Sequence, residues 1–279
     1  MERSIDTLQY QIKKGVFEPK SFELSFQTME DLDSVSISLS DTERMRLSGR
    51  IDRLDTYEDD DHIYVKVVDY KSGKKDFDLV TVYYGLTLQL VLYLNVAMEK
   101  EKREHPEKVI VPAGMLYYHL DDPFTEQDGT LSKEQIDATL KKELHMRGIV
   151  NSDEQVIGRL DTSIASGGRS DVIPAQIKTD GTTAASSRAY SEEVLREISN
   201  YVNLKIRRLS TEILAGGIAR NPYEYKEQSA CTYCRYSEVC GFDERLPGCE
   251  KRSIMALDEE ELLKRMREET GPDQPAESR

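Results

Sequence analysis

The segment Val67-Val68-Asp69-Tyr70-Lys71-Ser72-Gly73 constrains this chain most. Its apolar start reads as a buried strand, yet it ends in an acid, one spacer and a lysine. Side chains two apart on a strand point the same way, so Asp69 and Lys71 bring opposite charges to one face at a strand end. An apolar core gains nothing from such a pair. Asp52 lies in an earlier apolar segment, Gly49-Arg50-Ile51-Asp52-Arg53, that can pair with this one. Two carboxylates and an ammonium converging at a strand end suit a hard divalent cation and a water. That donor set fits hydrolysis of a phosphodiester. The competing reading puts Asp52 in a salt bridge with Arg50 or Arg53, and Lys71 on a surface turn with Ser72 and Gly73.

An acid followed by an apolar strand carrying Asp-x-Lys resembles the PD-(D/E)XK nucleases. The ordered set GRIDR, DYKSG and then Gln89-Leu90-Val91-Leu92-Tyr93-Leu94 on the next helix resembles the RecB-like branch of that family. A second block narrows the likeness: Asn221-Pro222-Tyr223, Cys231-Thr232-Tyr233-Cys234, Cys240, Phe242-Asp243 and Pro247-Gly248. Together they resemble the C-terminal nuclease domain of AddB-type subunits of bacterial AddAB helicase-nucleases, from about Phe22 to about Arg252. The resemblance implies an α/β, restriction-endonuclease-like fold: a mixed central sheet flanked by helices, with a C-terminal cysteine module. It implies a metal-dependent DNA exonuclease acting in double-strand-break end resection and recombinational repair. There the AddB nuclease trims the strand with the 5′ end, and an AddA-type helicase-nuclease subunit is the partner. Two rivals stay open: another RecB-like iron–sulfur exonuclease of CRISPR-associated type, and a non-catalytic nuclease-fold scaffold that binds DNA.

Under this resemblance Asp52 and Asp69 hold Mg²⁺ or Mn²⁺, and the Tyr70 carbonyl adds a ligand. Lys71 orients the attacking water and stabilises the phosphate in the transition state. Gln89 and Tyr93, one helical turn apart, share a face; the family implies that Gln89 reaches toward the metal and Tyr93 positions the substrate backbone. A core role for Tyr93 is the alternative. Glu23 is a lower-ranked additional carboxylate.

The four cysteines are Cys231, Cys234, Cys240 and Cys249. A C-x2-C pair in a cytosolic chain points to metal or redox chemistry more than to a structural disulfide. A zinc site using all four is one reading. The resemblance instead implies a [4Fe-4S] cluster held by Cys231, Cys234 and Cys240 with one cysteine far upstream. No cysteine precedes Cys231, and none of His62, His105, His119 and His145 precedes the GRIDR segment. The expectation is a C-terminal piece of a longer subunit, with an incomplete cluster and Cys249 as the alternative fourth ligand.

The expected organisation is a truncated N-terminal remnant (1–20), a RecB-like nuclease core (21–220), an iron–sulfur cysteine module (221–252), then a charged helix and a disordered tail (253–279). Within the core, residues 4–14 read as a weak helix. Residues 21–26 read as a strand with Phe22, Leu24 and Phe26 on one face, and 35–39 as another. Residues 45–57 and 62–70 form a hairpin around the acidic tip Glu58-Asp59-Asp60-Asp61. A long helix over 79–102 presents Leu86, Leu90, Tyr93, Leu94 and Ala97, and a crossover returns the chain to a buried strand over 109–120. A second helix spans 132–147. Residues 163–187 are polar and Gly/Ser-rich and read as a surface hairpin or a mobile loop, with Val172-Ile173-Pro174 as a short strand. Ser191 caps a helix that Gly216-Gly217 closes, and residues 257–269 form a charged helix.

Net charge is −14, which argues against a wide autonomous DNA-binding face. It is compatible with a carboxylate-bearing nuclease site, DNA being delivered by other domains. No apolar run approaches the ~20 residues of a membrane span, and no apolar segment follows the N-terminus as a secretory signal requires, so a cytoplasmic location is expected. The absence of a Gly-Lys-Ser/Thr phosphate loop argues that these residues hydrolyse no ATP.

Overall fold

The structure is a computed structural model, and it describes residues 2–27, 32–40, 42–73, 76–120, 135, 139, 143–164, 167–226 and 228–271. In chain order the elements are α1 (Glu2–Lys14), β1 (Glu18–Ser25), β2 (Ser36–Ser38), β3 (Arg44–Arg46), β4 (Arg50–Glu58), β5 (His62–Lys71), α2 (Leu79–Tyr83), α3 (Gln89–Glu104) and β6 (Val109–His119). There follow β7 (Arg147–Asn151), α4 (Glu154–Leu160), β8 (Ala189–Tyr190), α5 (Glu192–Leu214), β9 (Tyr223–Tyr225), β10 (Gln228–Ser229), α6 (Ser237–Cys240), β11 (Arg252–Ser253) and α7 (Glu259–Thr270).

Six strands form one mixed sheet in the order β1-β4-β5-β6-β7-β8. The hairpin partners β4 and β5 run antiparallel, whereas β5 and β6 are parallel. The α2–α3 passage makes that crossover possible, because parallel neighbours need a long return connection. The sheet carries a core on each face. On one, Leu54, Val65, Val67, Met115, Tyr117 and Ile149 pack against Val82 of α2, Leu90, Val91 and Leu94 of α3, Ile198 and Val202 of α5 and Met266 of α7. On the other, Val68, Leu116, Tyr118 and Val150 pack against Phe17, Val156 and Ile157 of α4, and the turn residues Val172 and Ile173.

The acidic tip, the crossover, the buried 109–119 strand and the capped α5 stand where the sequence places them. The hairpin does so only from Arg50 onward, because Met45 and Arg46 of the expected 45–57 strand lie in β3, which pairs with β2 instead. Ser191 Oγ accepts the Val194 N–H, and Gly216 takes φ +76° just past the end of α5. Four further expectations are corrected. The long helix over 79–102 is two helices, α2 and α3, because Gly85 turns left-handed at φ +79° after Tyr84. Leu86 therefore lies in the connection. Phe22 is 61% exposed while Phe26 is fully buried. Glu23 between them adopts φ +52°, and the β1–β4 register slips between Pro19 and Ser21, so simple alternation fails. The helix expected over 132–147 has stopped before Arg147, which opens β7; much of that span lies outside the described residues. Val172, Ile173, Ala175 and Ile177 are buried, but they form no strand. They anchor a folded loop beneath the second face, tied by isolated bridges of Arg169 with Gln176 and Ile177 with Thr183. Residues 272–279, expected to be a disordered tail, lie outside the described residues.

Candidate active site

The site is built at the end of β4 and β5. Arg53 pairs with Val68 and Leu54 with Val67. Leu54 and Val67 belong to the α3-side core. Two residues further along each strand, alternation puts Asp52 and Asp69 on that same face. Asp52 Oδ2 accepts the backbone N–H of Tyr70 at 2.8 Å. Neither arginine neighbour claims Asp52. Arg50 Nε lies 2.5 Å from Glu23 Oε2, and Arg53 Nε and Nη2 reach Asp55 Oδ1 and Oδ2 at 2.7 and 2.6 Å. The salt-bridge reading of Asp52 is thereby set aside. Glu23, 58% exposed at its side chain, is engaged by Arg50 at the β1 edge.

Asp69 is 2% exposed and pairs with the Lys71 ammonium. Lys71 Nζ also donates to Gln89 Oε1 at 3.4 Å, and Gln89 Nε2 donates to Tyr93 OH at 2.7 Å. Asp69, Lys71, Gln89 and Tyr93 thus form one continuous polar chain. It exists because Gln89 is the first residue of α3 and so faces the strand end, with Tyr93 one turn further on. Tyr93 is also a core residue, 6% exposed and edge-on to Phe26 with ring centroids 6.0 Å apart. The core reading of Tyr93 therefore holds, and its hydroxyl is at the same time the end of the polar chain from Asp69.

Tyr117 was not among the expected residues. It is the β6 register partner of Asp69, 1% exposed, and Lys71 Nζ stands 5.8 Å from its ring centroid. Burial, then the charges of Asp69 and the Tyr93 phenol, push its hydroxyl up to about 12. Tyr117 thus stays neutral beside the acid and offers the ammonium a ring face. No spacing pattern marks it, since β6 is buried almost throughout.

Behind the site, on the opposite face, Arg53, Asp55 and Lys66 form a buried ion triad. Asp55 Oδ2 lies 2.6 Å from Arg53 Nη2 and 2.8 Å from Lys66 Nζ, and each side chain is at most 8% exposed. Arg53 Nη1 also reaches Tyr70 OH at 3.3 Å. Burial opposes ionisation of Asp55, but Lys66 and Arg53 outweigh it and hold the carboxyl below its usual range. Burial pushes the Lys66 ammonium down. Tyr70 is thus fastened from both sides: its N–H by Asp52 and its phenol by Arg53.

A sequence model of the PD-(D/E)XK nuclease superfamily matches residues 1–241. The chain belongs to that superfamily. The PD-(D/E)XK chain is also similar to proteins named as the B-type subunit of an ATP-dependent helicase/deoxyribonuclease. The relative from Lachnoclostridium phytofermentans is 39% identical over 276 residues, covering 96% of this chain and 23% of that protein. Those from Clostridium tetani and Clostridium acetobutylicum are 35% and 37% identical over 273 and 264 residues. The PD-(D/E)XK chain spans about a quarter of the length of these relatives, 22–24%.

Two further clusters bear on metal chemistry. Glu101, Glu104 and His105 offer ligand atoms within 4.8 Å of one another, but Lys20 and Lys100 already neutralise both glutamates, at 2.7 Å for the closest contacts. In the cysteine segment Cys231 is exposed, Cys234 and Cys240 are half-buried and Cys249 is buried; none is in a disulfide. Asp78 ties this segment to the nuclease core, accepting from Val80 N, Tyr225 OH and Lys226 Nζ. Among the described residues no helix is long and apolar enough to cross a membrane.

Proposed function

We propose that the chain is a metal-dependent deoxyribonuclease module that hydrolyses DNA phosphodiesters at Asp52, Asp69 and Lys71. The supporting observation is the polar chain from Asp69 through Lys71 and Gln89 to Tyr93, with Asp52 on the same face. An all-oxygen donor set of Asp52, Asp69 and the Tyr70 carbonyl fits Mg²⁺ or Mn²⁺ rather than a soft metal. A bound ion of this kind supplies charge neutralisation and a more acidic water. Asp69 keeps Lys71 in place, Lys71 brings a fixed positive charge to the phosphate, and Gln89 and Tyr93 limit the space the ammonium can explore.

The name of the relatives, which couples a helicase with a deoxyribonuclease, supports a role within a larger helicase-nuclease; the family resemblance adds resection of double-strand breaks for recombinational repair and an AddA-type partner. The free thiols of Cys231, Cys234 and Cys240 are donors of the type a [4Fe-4S] cluster takes.

The test is degradation of a 5′-labelled single-stranded oligonucleotide by the complete polypeptide with Mg²⁺, alongside Asp69→Asn and Lys71→Ala. Mn²⁺ binding read by electron paramagnetic resonance gives a readout apart from activity. Wild-type cutting by Lys71→Ala, or unchanged Mn²⁺ binding by Asp69→Asn, would sink the assignment.

A further inference from the structure

A cleft of about 770 Å³ opens between the start of β7, residues 76–77 ahead of α2, and the folded loop over 169–188. Three guanidinium groups line it, those of Arg147, Arg169 and Arg188, together with His145. Its carboxylates are Asp76, Glu143 and Asp171. Two of them are already engaged: Arg147 Nη1 holds Asp76 Oδ1 at 3.1 Å, and Tyr10 OH donates to Asp171 Oδ2 at 2.5 Å. Arg188 uses one N–H on the Phe77 carbonyl, at 2.7 Å, and remains exposed. Arg169 is exposed and has no ion pair or side-chain hydrogen bond among the described residues.

The cleft is aligned with the catalytic face. Asp69 is the register partner of Tyr117, and Tyr117 that of Arg147. Tyr117 and Met115 share a face, as do Arg147 and Ile149 by alternation, and Met115, Tyr117 and Ile149 belong to the α3-side core. Arg147 therefore stands two strand spacings from Asp69 along one row, about 10 Å at the usual strand separation. A strand of DNA with one phosphate at Asp69 brings a neighbouring phosphate to this cleft.

We propose that the cleft is a subsite for the phosphodiester backbone of the single strand being cut. Arg169 and Arg188 hold a phosphate beside the scissile one, and Arg147 exchanges Asp76 for it. The inference rests on the nuclease reading and adds positioning residues to it. Guanidinium forks match phosphate oxygens bidentately. In a chain of net charge −14, long-range attraction cannot gather DNA, so local arginines must hold it.

The experiment is fluorescence anisotropy of a labelled single-stranded oligothymidylate against the full chain in EDTA, across a salt series. Arg169→Ala and Arg188→Ala are compared with Lys178→Ala, which removes the same charge from the same loop outside the cleft lining. Both arginine variants are expected to bind roughly 5–10-fold more weakly than wild type. Each should also lower the slope of log affinity against log salt by about 0.7, the value for one phosphate contact on a single strand. Lys178→Ala should stay near wild type. No measurable wild-type binding, arginine variants no weaker than Lys178→Ala, or Arg169-dependent binding of inorganic phosphate or a mononucleotide but not the oligonucleotide would each overturn the proposal. Cutting is not needed for this readout, so failure of the nuclease reading shows separately as wild-type binding without degradation in Mg²⁺.

Discussion

Asp52 accepts the backbone N–H of Tyr70, the residue between Asp69 and Lys71. The carboxylate thus takes over from the strand ladder where the paired register of β4 and β5 stops at Arg53–Val68. It fastens the end of β5 against β4 through one carboxylate oxygen, Oδ2, and the other is the one the proposed metal site would use. Arg50 and Arg53, its sequence neighbours, are held by Glu23 and Asp55 and do not compete for it.

Lys71→Ala is therefore expected to cut DNA roughly 10²–10³-fold more slowly, about 3–4 kcal/mol of transition-state stabilisation by analogy with a lost oxyanion donor. The fold should survive, because the Lys71 side chain is partly exposed. Single-turnover cutting rates with a circular-dichroism melt decide it. A melt lowered as far as the rate would show that Lys71 is structural.

Removing members of the Arg53–Asp55–Lys66 triad should have unequal effects. Asp55→Ala leaves two buried cations without a partner and is expected to cost about 3–5 kcal/mol. Lys66→Met leaves the bidentate Arg53–Asp55 pair intact and removes an ammonium that burial already disfavours, so it should stay within about 1–2 kcal/mol of wild type. Urea unfolding of both variants checks the asymmetry; equal losses would contradict it. Because the folded-state pKa of Asp55 is lowered, its contribution is present above the normal aspartate range and fades as pH falls through it. The Asp55→Ala deficit should shrink in acid.

Much of this was readable from residues alone, for local reasons. Asp69 and Lys71 follow from strand alternation and Ser191 from capping chemistry; helix spacing puts Gln89 and Tyr93 on one face, and the family resemblance pointed that face at the site. What escaped the sequence depends on non-local register or on one backbone angle. Tyr117 reaches the site because β6 pairs in parallel with β5 in a register that shifts near Val65–Lys66, and no local pattern encodes that. The break between α2 and α3 hangs on Gly85, inside a run that otherwise has helical periodicity. Val172 and Ile173 looked like a strand because burial and β-branching suit a strand as well as a packed loop.

Gly148 fixes the β6–β7 pairing beside Tyr117. It has φ +141°, and a Cβ there would lie 2.2 Å from the Met115 carbonyl oxygen and 2.9 Å from Leu116 Cα. Both obstacles are backbone. Gly148→Ala is expected to cost more than about 3 kcal/mol or to prevent folding, well beyond the ordinary range for a point change. Gly85→Ala, at φ +79° with only side-chain contacts at 3.5 Å, should cost about 1–3 kcal/mol from backbone strain alone. Comparable thermal melts for the two would show that the β6–β7 contact is not close.

Tyrosine titration should separate surface from core. Of the 15 tyrosines, Tyr117 and Tyr118 have hydroxyls pushed up to about 12, by burial first and then by neighbouring Asp69 or Tyr70. A raised folded pKa favours the native state fully below the ordinary tyrosine value and loses that contribution as pH rises toward 12. Stability should thus fall steeply between about pH 10 and 12. Absorbance at 295 nm should show a late ionisation phase, toward pH 12, that shrinks in Tyr117→Phe. An unchanged late phase in that variant would place Tyr117 in contact with water.

The cysteine segment yields the last test. Cys249 is 2% exposed, whereas Cys231 is exposed and Cys234 and Cys240, just before α6 and at its last residue, are half-buried. A cluster needs thiolates that can reach a common centre, and a buried Cys249 thiol must leave its packing to join them. Anaerobic reconstitution should therefore give the same iron and acid-labile sulfide in Cys249→Ser as in wild type, and a clear loss in Cys231→Ser, Cys234→Ser and Cys240→Ser. Because ligand bonds replace a core in so short a segment, the three sensitive variants should also expose residues 224–252 to proteolysis. Four irons per chain that vanish in Cys249→Ser would make Cys249 the fourth ligand and require residues 246–250 to rearrange on metal uptake.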